Sequence, residues 1–304
     1  YAREDAVDLR ISAVADGPRP AAAVVAAAVA GLAPLVSRYV FARGTETWAE
    51  ALTRRLAGRT IVEDLTLSLD RGCVLGLLGV NGAGKSTTLR MIAGVLAPSA
   101  GKVLFDGRDL GEEPALARRL GYLPETPPLY AELRVDEYLA FCARLRGMRS
   151  AQAKAAVDRV IERCGLGEVR RRLCANLSKG FAQRAGIAQA IVHDPDLIVL
   201  DEPASGLDPV QAASVRELVR EIGRKRTVIL STHLLHDVTA CCARVAILHR
   251  GRLRHDGALA DLDSDGLAGT DKSGESLEAV FFRLASGDDV QAAAAERDDR
   301  ILHA

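Results

Sequence analysis

The chain has 304 residues, 48% of them apolar, and its 40 basic and 40 acidic side chains cancel to a formal charge of zero. That length is enough to bury a full α/β core in one large domain or one and a half. Charge balance argues against nucleic acid as the main partner, because duplex binding favours a strongly basic face.

Residues 1–44 carry no phosphate, metal or base chemistry. The chain opens on Tyr1 rather than Met, which suggests a truncated or processed start. From Pro20 to Ser37 lies an uncharged Ala/Val-rich stretch, broken by Gly31 and Pro34 and bounded by Arg19 and Arg38. A bilayer core needs about 20 apolar residues. Three readings stay open: a loosely packed or disordered extension, a marginal transmembrane helix, and a signal peptide.

Thr45 to Leu120 reads as a β-rich edge followed by a loop and a helix. Val74-Leu75-Gly76-Leu77-Leu78 is a buried strand, and Thr88-Leu89-Arg90-Met91-Ile92-Ala93 is helical. Between them stand Gly79, Val80, Asn81, Gly82, Ala83, Gly84, Lys85, Ser86 and Thr87, which fit G-x-x-x-x-G-K-[ST] in the strand-loop-helix setting that this motif requires. Glycines let successive backbone N–H groups turn toward one point, and the helix beginning near Lys85 adds its positive dipole end. The reading is a nucleotide phosphate site, with Lys85 reaching the β- and γ-phosphates and the Ser86 hydroxyl on Mg²⁺. A plain glycine turn with a lysine nearby is the competing interpretation, and the strand-loop-helix context weighs against it. Farther on, Ala97 to Lys102 is a turn and Val103-Leu104-Phe105-Asp106-Gly107 a strand and tight turn.

Thr126 to Asn176 is mostly helical. Leu139, Cys142, Ala143 and Leu145 mark one amphipathic helix; Val157, Val160, Ile161 and Cys164 mark another, ended by Gly165. Pro124, Pro127 and Pro128 stiffen the entry. Then comes Leu177-Ser178-Lys179-Gly180-Phe181, where Ser178 can cap a helix or donate to phosphate and Gly180 permits close approach.

Leu197-Ile198-Val199-Leu200 suits a parallel strand buried on both faces, and it ends in Asp201-Glu202. Asp201 can share Mg²⁺ with Ser86, and Glu202 can polarise an attacking water. A helix is expected over Val210 to Glu221, with strands over Thr227 to Leu230 and Val245 to Leu248. Asp261 to Glu275 is polar and reads as a linker, Ser276 to Leu284 as a short amphipathic helix, and the rest as a disordered tail. The clusters Arg170-Arg171-Arg172 and Arg224-Lys225-Arg226 read as solvated helix ends. Six cysteines match no zinc spacing and read as reduced thiols of a cytosolic protein, with Cys73 and Cys142 as small hydrophobes. No internal repeat is present.

Taken in order, these motifs resemble the ATP-binding cassette (ABC) family from about Thr45 to Leu284. Ser178 and Gly180 match the L-S-G-G-Q signature, while Lys179 and Phe181 follow the L-S-K-G-[FYM]-x-Q-R form of the subfamily that drives ABC-2-type exporters. Ser205-Gly206-Leu207-Asp208-Pro209 is similar to the D-loop, and His233, after Ile229-Leu230-Ser231-Thr232, to the switch histidine that contacts the γ-phosphate. Glu125 stands at the Q-loop position; it keeps an oxygen for Mg²⁺ or water but lacks the amide donor. Arg54-Arg55-Leu56-Ala57 replaces the family's K-R-Y-G, so Leu56 can pack on adenine but offers it no π-face.

The resemblance implies an α/β fold: a P-loop NTPase core with a β-rich nucleotide-binding edge and an inserted helical subdomain at about 126–177. The ATPase domain spans 45–264, between an extension at 1–44 and a linker, helix and tail at 265–304. It also implies an ATP-hydrolysing subunit on the cytoplasmic face of a membrane, with Lys85, Glu202 and His233 catalytic, Ser86 and Asp201 on Mg²⁺, and the phosphate loop, Glu125, Ser178, Gly180 and Asp208 on ATP. Its expected partners are a transmembrane permease, joined through the helical subdomain around Glu125–Tyr130, and a second, head-to-tail copy. Such a dimer would place each ATP between one chain's Lys85 loop and the other's Ser178–Gly180. The alternative is a soluble ABC ATPase acting on nucleic acid or ribosomes. Those resemble long coiled-coil insertions or tandem cassettes, which this chain lacks. A third, an ATP-binding regulatory or immunity switch, is disfavoured by the intact Glu202 and His233.

Overall fold

A computed structural model describes residues 45–260, with side chains from Ala49 onward. The expectations for 1–44 and for the linker, short helix and tail fall outside the described residues. Two sheets are built from ten strands in the described part. The first is antiparallel, in the order β2 (Arg59–Asp70), β1 (Thr45–Leu56), β4 (Ala100–Phe105), β5 (Arg108–Asp109). The β1–β2 hairpin turns on Ala57 and Gly58, both with positive φ (47° and 77°), the geometry whose twist matches paired strands.

The second sheet has the order β10 (Arg252–Ala258), β9 (Arg244–His249), β3 (Val74–Leu78), β8 (Thr227–Thr232), β7 (Leu197–Leu200), β6 (Leu120–Leu123). All neighbours are parallel except the β9–β10 pair. Its central strands are apolar on both faces, and the period-two alternation sorts their side chains between two cores. Val74, Ile198, Leu200, Val228, Leu230, Val245 and Ile247 face the helices, among them α2 (Val135–Leu145), α3 (Ser150–Arg163), α4 (Lys179–Ile191) and α5 (Pro209–Gly223). Leu75, Leu77, Leu197, Val199, Ile229, Ala246 and Leu248 face α1 (Lys85–Ile92) and the antiparallel sheet.

The expected helices over 139–146, 157–164 and 210–221 are present with earlier starts, and Gly165, at φ 63°, stands just beyond the end of α3. Several elements lacked a sequence signal, three of them near the site or the sheet edge. A 3₁₀ helix occupies Pro114–Arg119, β10 pairs along β9, and α6 (Leu235–Cys241) follows β8. α6 is only seven residues long and buries Asp237 and Val238, so no apolar stripe announces it. Among the described residues no helix is long and apolar enough to cross a membrane.

Tight packing at Gly121 fixes where β6 delivers the chain to Glu125. A Cβ there would overlap the Ala190 carbonyl of α4. Because that neighbour is backbone, Gly121→Ala should destabilise the domain by about 1–3 kcal/mol, with a lowered thermal midpoint. An unchanged melt would mean that α4 yields freely.

Candidate functional site

Strand order brings the chemistry together. β3, β8, β7 and β6 are parallel neighbours, so the segments leaving their carboxyl ends emerge side by side. Open α/β sheets bind ligands along that edge. Here those segments are the phosphate loop, His233, Asp201-Glu202 and Glu125. Together they border a cleft of about 500 Å³ lined by Asn81, Gly82, Gly84, Lys85, Ser86, Thr87, Glu125, Glu202 and His233, with Ile61 and Ser205 beside them.

The loop's glycines serve different ends. Gly82 and Gly84 have φ of 82° and 103°, a region that an L side chain strains to enter. A Cβ on Gly79 would lie 2.5 Å from the Leu248 carbonyl oxygen. The loop thus sits hard against β9, and α1 begins at Lys85 directly after it. Of the remaining loop residues, Ala83 is buried and Val80 is exposed.

Lys85 is 6% exposed. Its ammonium donates to the carbonyls of Gly79 at 2.7 Å and Val80 at 3.4 Å, and lies 3.4 Å from the Glu202 carboxylate. His233 Nδ1 is 3.0 Å from the same carboxylate. Glu202 adopts φ 48°, uncommon for a residue with a side chain, and its amide donates to Ser231 Oγ at 2.9 Å. The Ser231 hydroxyl donates in turn to Asp201 Oδ1 at 2.6 Å, and Ser86 Oγ donates to the same oxygen at 3.1 Å.

Asp201 is fully buried, and its Oδ2 has no hydrogen-bond partner. A buried carboxylate oxygen normally finds one. This orphaned oxygen, beside a serine hydroxyl, is a donor set that suits Mg²⁺, which takes one or two protein oxygens and leaves the rest to phosphate and water.

Of the residues named from the sequence, Gly79, Val80 and Ala83 of the loop, the buried Asp201, and Ser178, Gly180 and Asp208 are not among those lining the cleft. Ser178 caps α4, accepting from the Phe181 amide at 3.4 Å, and Asp208 caps α5, accepting from the Gln211 amide at 2.9 Å. Gly180 packs against the Gln211 side chain.

The sequence reading missed Ser231 as more than a strand residue. Its only signal is a hydroxyl pair, Ser231-Thr232, directly after the apolar run Val228-Ile229-Leu230. Also missed was the support of the His233 turn. Thr232 Oγ1 accepts from the Leu234 amide at 3.0 Å and donates to Asp237 at 2.8 Å, and Asp237 is paired with Arg216 at 2.8 Å. Removing the Ser231 hydroxyl strands the Glu202 amide and loosens Asp201. Ser231→Ala should therefore lower ATP turnover by about tenfold or more, on the order of the 1–3 kcal/mol that a lost buried partner costs. Full turnover in the variant would show the hydroxyl to be incidental.

The comparisons with known proteins agree with this geometry. A model of the family described as "ABC transporter" matches residues 62–205. The uncharacterised ABC transporter ATP-binding protein YxlF of Bacillus subtilis is 35% identical over 213 residues, covering 70% of this chain and 71% of that one. The ABC transporter ATP-binding protein NatA of the same organism is 38% identical over 205 residues, covering 66% and 83%. The bacitracin transport ATP-binding protein BcrA of Bacillus licheniformis is 35% identical over 205 residues, covering 66% of each chain. A solved structure described as the ATP-binding subunit of an ABC transporter superposes with a TM-score of 0.70 at 33% identity, covering 79% of this chain and 99% of that one. On the strength of both sequence and fold, the chain belongs to the ATP-binding proteins of ABC transporters, a family of nucleotide-binding subunits that hydrolyse ATP.

Proposed function

We propose that this chain is the ATPase of an ABC-2-type exporter, working as a head-to-tail dimer beneath a separate permease on the cytoplasmic face of a membrane. The observation that carries the catalytic part is the convergence of Lys85 and His233 on the Glu202 carboxylate at the phosphate loop. ATP lies along the loop, its phosphates met by backbone N–H groups, the α1 N-terminus and the Lys85 ammonium. Ser86 and Asp201 would hold Mg²⁺, which when bound would neutralise charge developing on the phosphate oxygens. Glu202 accepts a proton from the attacking water, His233 orients that carboxylate and senses the γ-phosphate, and Glu125 supplies an oxygen from the β6 edge.

The dimer is motivated by Ser178 and Gly180. They stand at a helix start of the kind that can bind phosphate, yet they are not among the residues that line their own chain's cleft. In a head-to-tail pair each would close the other chain's site, so that loss of the γ-phosphate releases the contact. The exporter subclass rests on the Leu177–Phe181 form and on Glu125, and the permease and the place at the membrane face rest on the relatives. One of them is named for bacitracin transport, and another solved neighbour, cbiO1 of Clostridium perfringens, is described as part of the complex cbiONQ.

Mixing two inactive variants tests the arrangement. A heterodimer of Lys85→Ala and Ser178→Arg chains gathers both lesions in one site and leaves the other intact. We expect part of the lost ATPase activity to return on mixing. No recovery, with heterodimers demonstrated by differential tags, would overturn the shared site.

A further inference from the structure

The two adjacent cysteines at the end of α6 have no role in nucleotide chemistry, yet they are arranged as a pair. Cys241 closes α6, and Cys242 continues in extended conformation, with φ −102° and ψ 144°. This break in the helix turns the two side chains toward each other, and their sulfurs lie 3.9 Å apart. Cys242 is buried; its Sγ would touch a Cβ placed on Gly76 of β3, at 3.0 Å, so the absence of a side chain there makes room for it. Cys241 is partly exposed and donates to the Asp237 carbonyl at 3.0 Å.

The distances discriminate between the chemistries open to such a pair. An unstrained disulfide needs Cα atoms about 4.4–6.8 Å apart, whereas adjacent residues are held about 3.8 Å apart by a trans peptide. A disulfide here would be strained and easily reduced. Two thiolates bound to one soft centre with bonds of about 2.3 Å can stand no more than about 4.6 Å apart, and the separation already present lies within that reach. Among the described residues no third metal-ligating side chain joins them in a cluster, so the pair suits a centre that needs two sulfurs rather than three or four.

We propose that Cys241 and Cys242 form a vicinal dithiol site for soft, thiophilic electrophiles with two open valences, of which monosubstituted trivalent arsenicals are the type. Soft thiolate ligands select soft centres. The reaction needs no oxidant. Each As–OH bond is replaced by an As–S bond, and the two thiol protons leave with the two hydroxides as water. The division of labour follows from the surroundings. Cys241 is pulled below the ordinary thiol range, chiefly by the hydrogen bond from Cys242 and further by Arg220 and Arg216, against the opposing effects of burial and Asp237, while Cys242 is pushed up by the same contact and by burial. Thiolate is the nucleophilic form. Cys241 therefore attacks first, and Cys242 closes the ring. The bridge would span the end of α6, whose start carries the His233 turn, and the β3 contact beneath the phosphate loop.

The test uses the native full chain and phenylarsine oxide at one equivalent, read by intact mass and by its reversal. We expect one phenylarsenic group per chain, removed by an excess of a dithiol and resistant to the same concentration of a monothiol. Cys241→Ser and Cys242→Ala should each lose the monothiol-resistant adduct, and Cys73→Ser should keep it. A thermal melt identifies any variant that fails to fold, and Cys241→Ser, at the more exposed position, keeps the test decisive if Cys242→Ala does not fold. No adduct on the native chain, or a resistant adduct that survives in folded Cys241→Ser, overturns the proposal.

Discussion

Glu202→Gln is expected to bind ATP and to turn it over at least about 100-fold more slowly, the scale of a lost general base. Glu202 follows β7 by two residues and is 9% exposed, and its carboxylate lies 3.4 Å from the Lys85 ammonium and 3.0 Å from His233. Both neighbours are hydrogen-bond donors or potential cations, so they hold a carboxylate facing the cleft. Glutamine keeps the shape, yet its amide cannot take a proton from water at neutral pH. Binding is expected to survive because the proposed phosphate contacts, the loop, Lys85 and Ser86, all stay in place, although Lys85 loses a carboxylate 3.4 Å away. Steady-state ATPase rate beside equilibrium nucleotide binding separates the two effects. In a dimeric enzyme the variant should also accumulate as an ATP-bound dimer, visible by size exclusion. Turnover at the wild-type rate would end the assignment of Glu202 as base.

Lys85→Ala should weaken ATP binding by more than tenfold and remove most turnover. It deletes the loop's only cationic side chain. Truncating one partner of a buried charged contact costs about 2–5 kcal/mol, and each 1.4 kcal/mol is a factor of about ten in Kd. Two losses combine here. The γ-phosphate loses its charge partner, and Glu202 loses the ammonium 3.4 Å away and keeps its contact with His233. Lys85→Arg should not rescue, because a planar guanidinium does not fit where a compact ammonium donates to Gly79 and Val80 at 2.7 and 3.4 Å. Calorimetric titration with ATP, with a thermal melt to confirm folding, gives the measurement. Unchanged affinity and turnover would rule out the role.

How the site became legible depends on how far apart along the chain its parts lie. The phosphate loop is one contiguous strand-loop-helix unit, and its chemistry is written in glycines and a lysine at fixed spacing. Asp201 and Glu202 were legible only in company with Lys85, because an apolar run that stops at two acids is by itself as often an ordinary strand end. His233 and Glu125 are single residues, and only their order within a family resemblance picked them out.

The sequence by itself determined the strands that are apolar on every residue, the helices with long apolar stripes, and the nine residues from Gly79 to Thr87 that begin the site. Local steric and hydrophobic rules act over a few residues and need no partner to be read. Only the tertiary structure decided that β3, β8, β7 and β6 lie side by side, and with that order which segments meet at the sheet's edge. It decided that Ser231 joins Asp201 to the Glu202 amide, that Ile61 and Ser205 border the cleft, and that Cys242 fills the space over Gly76. These contacts join residues tens to more than a hundred positions apart. A serine in a strand or a glycine in a core carries no mark of its future neighbour, because the pairing of strands that brings the two together is fixed by the packing of the whole sheet between its two layers.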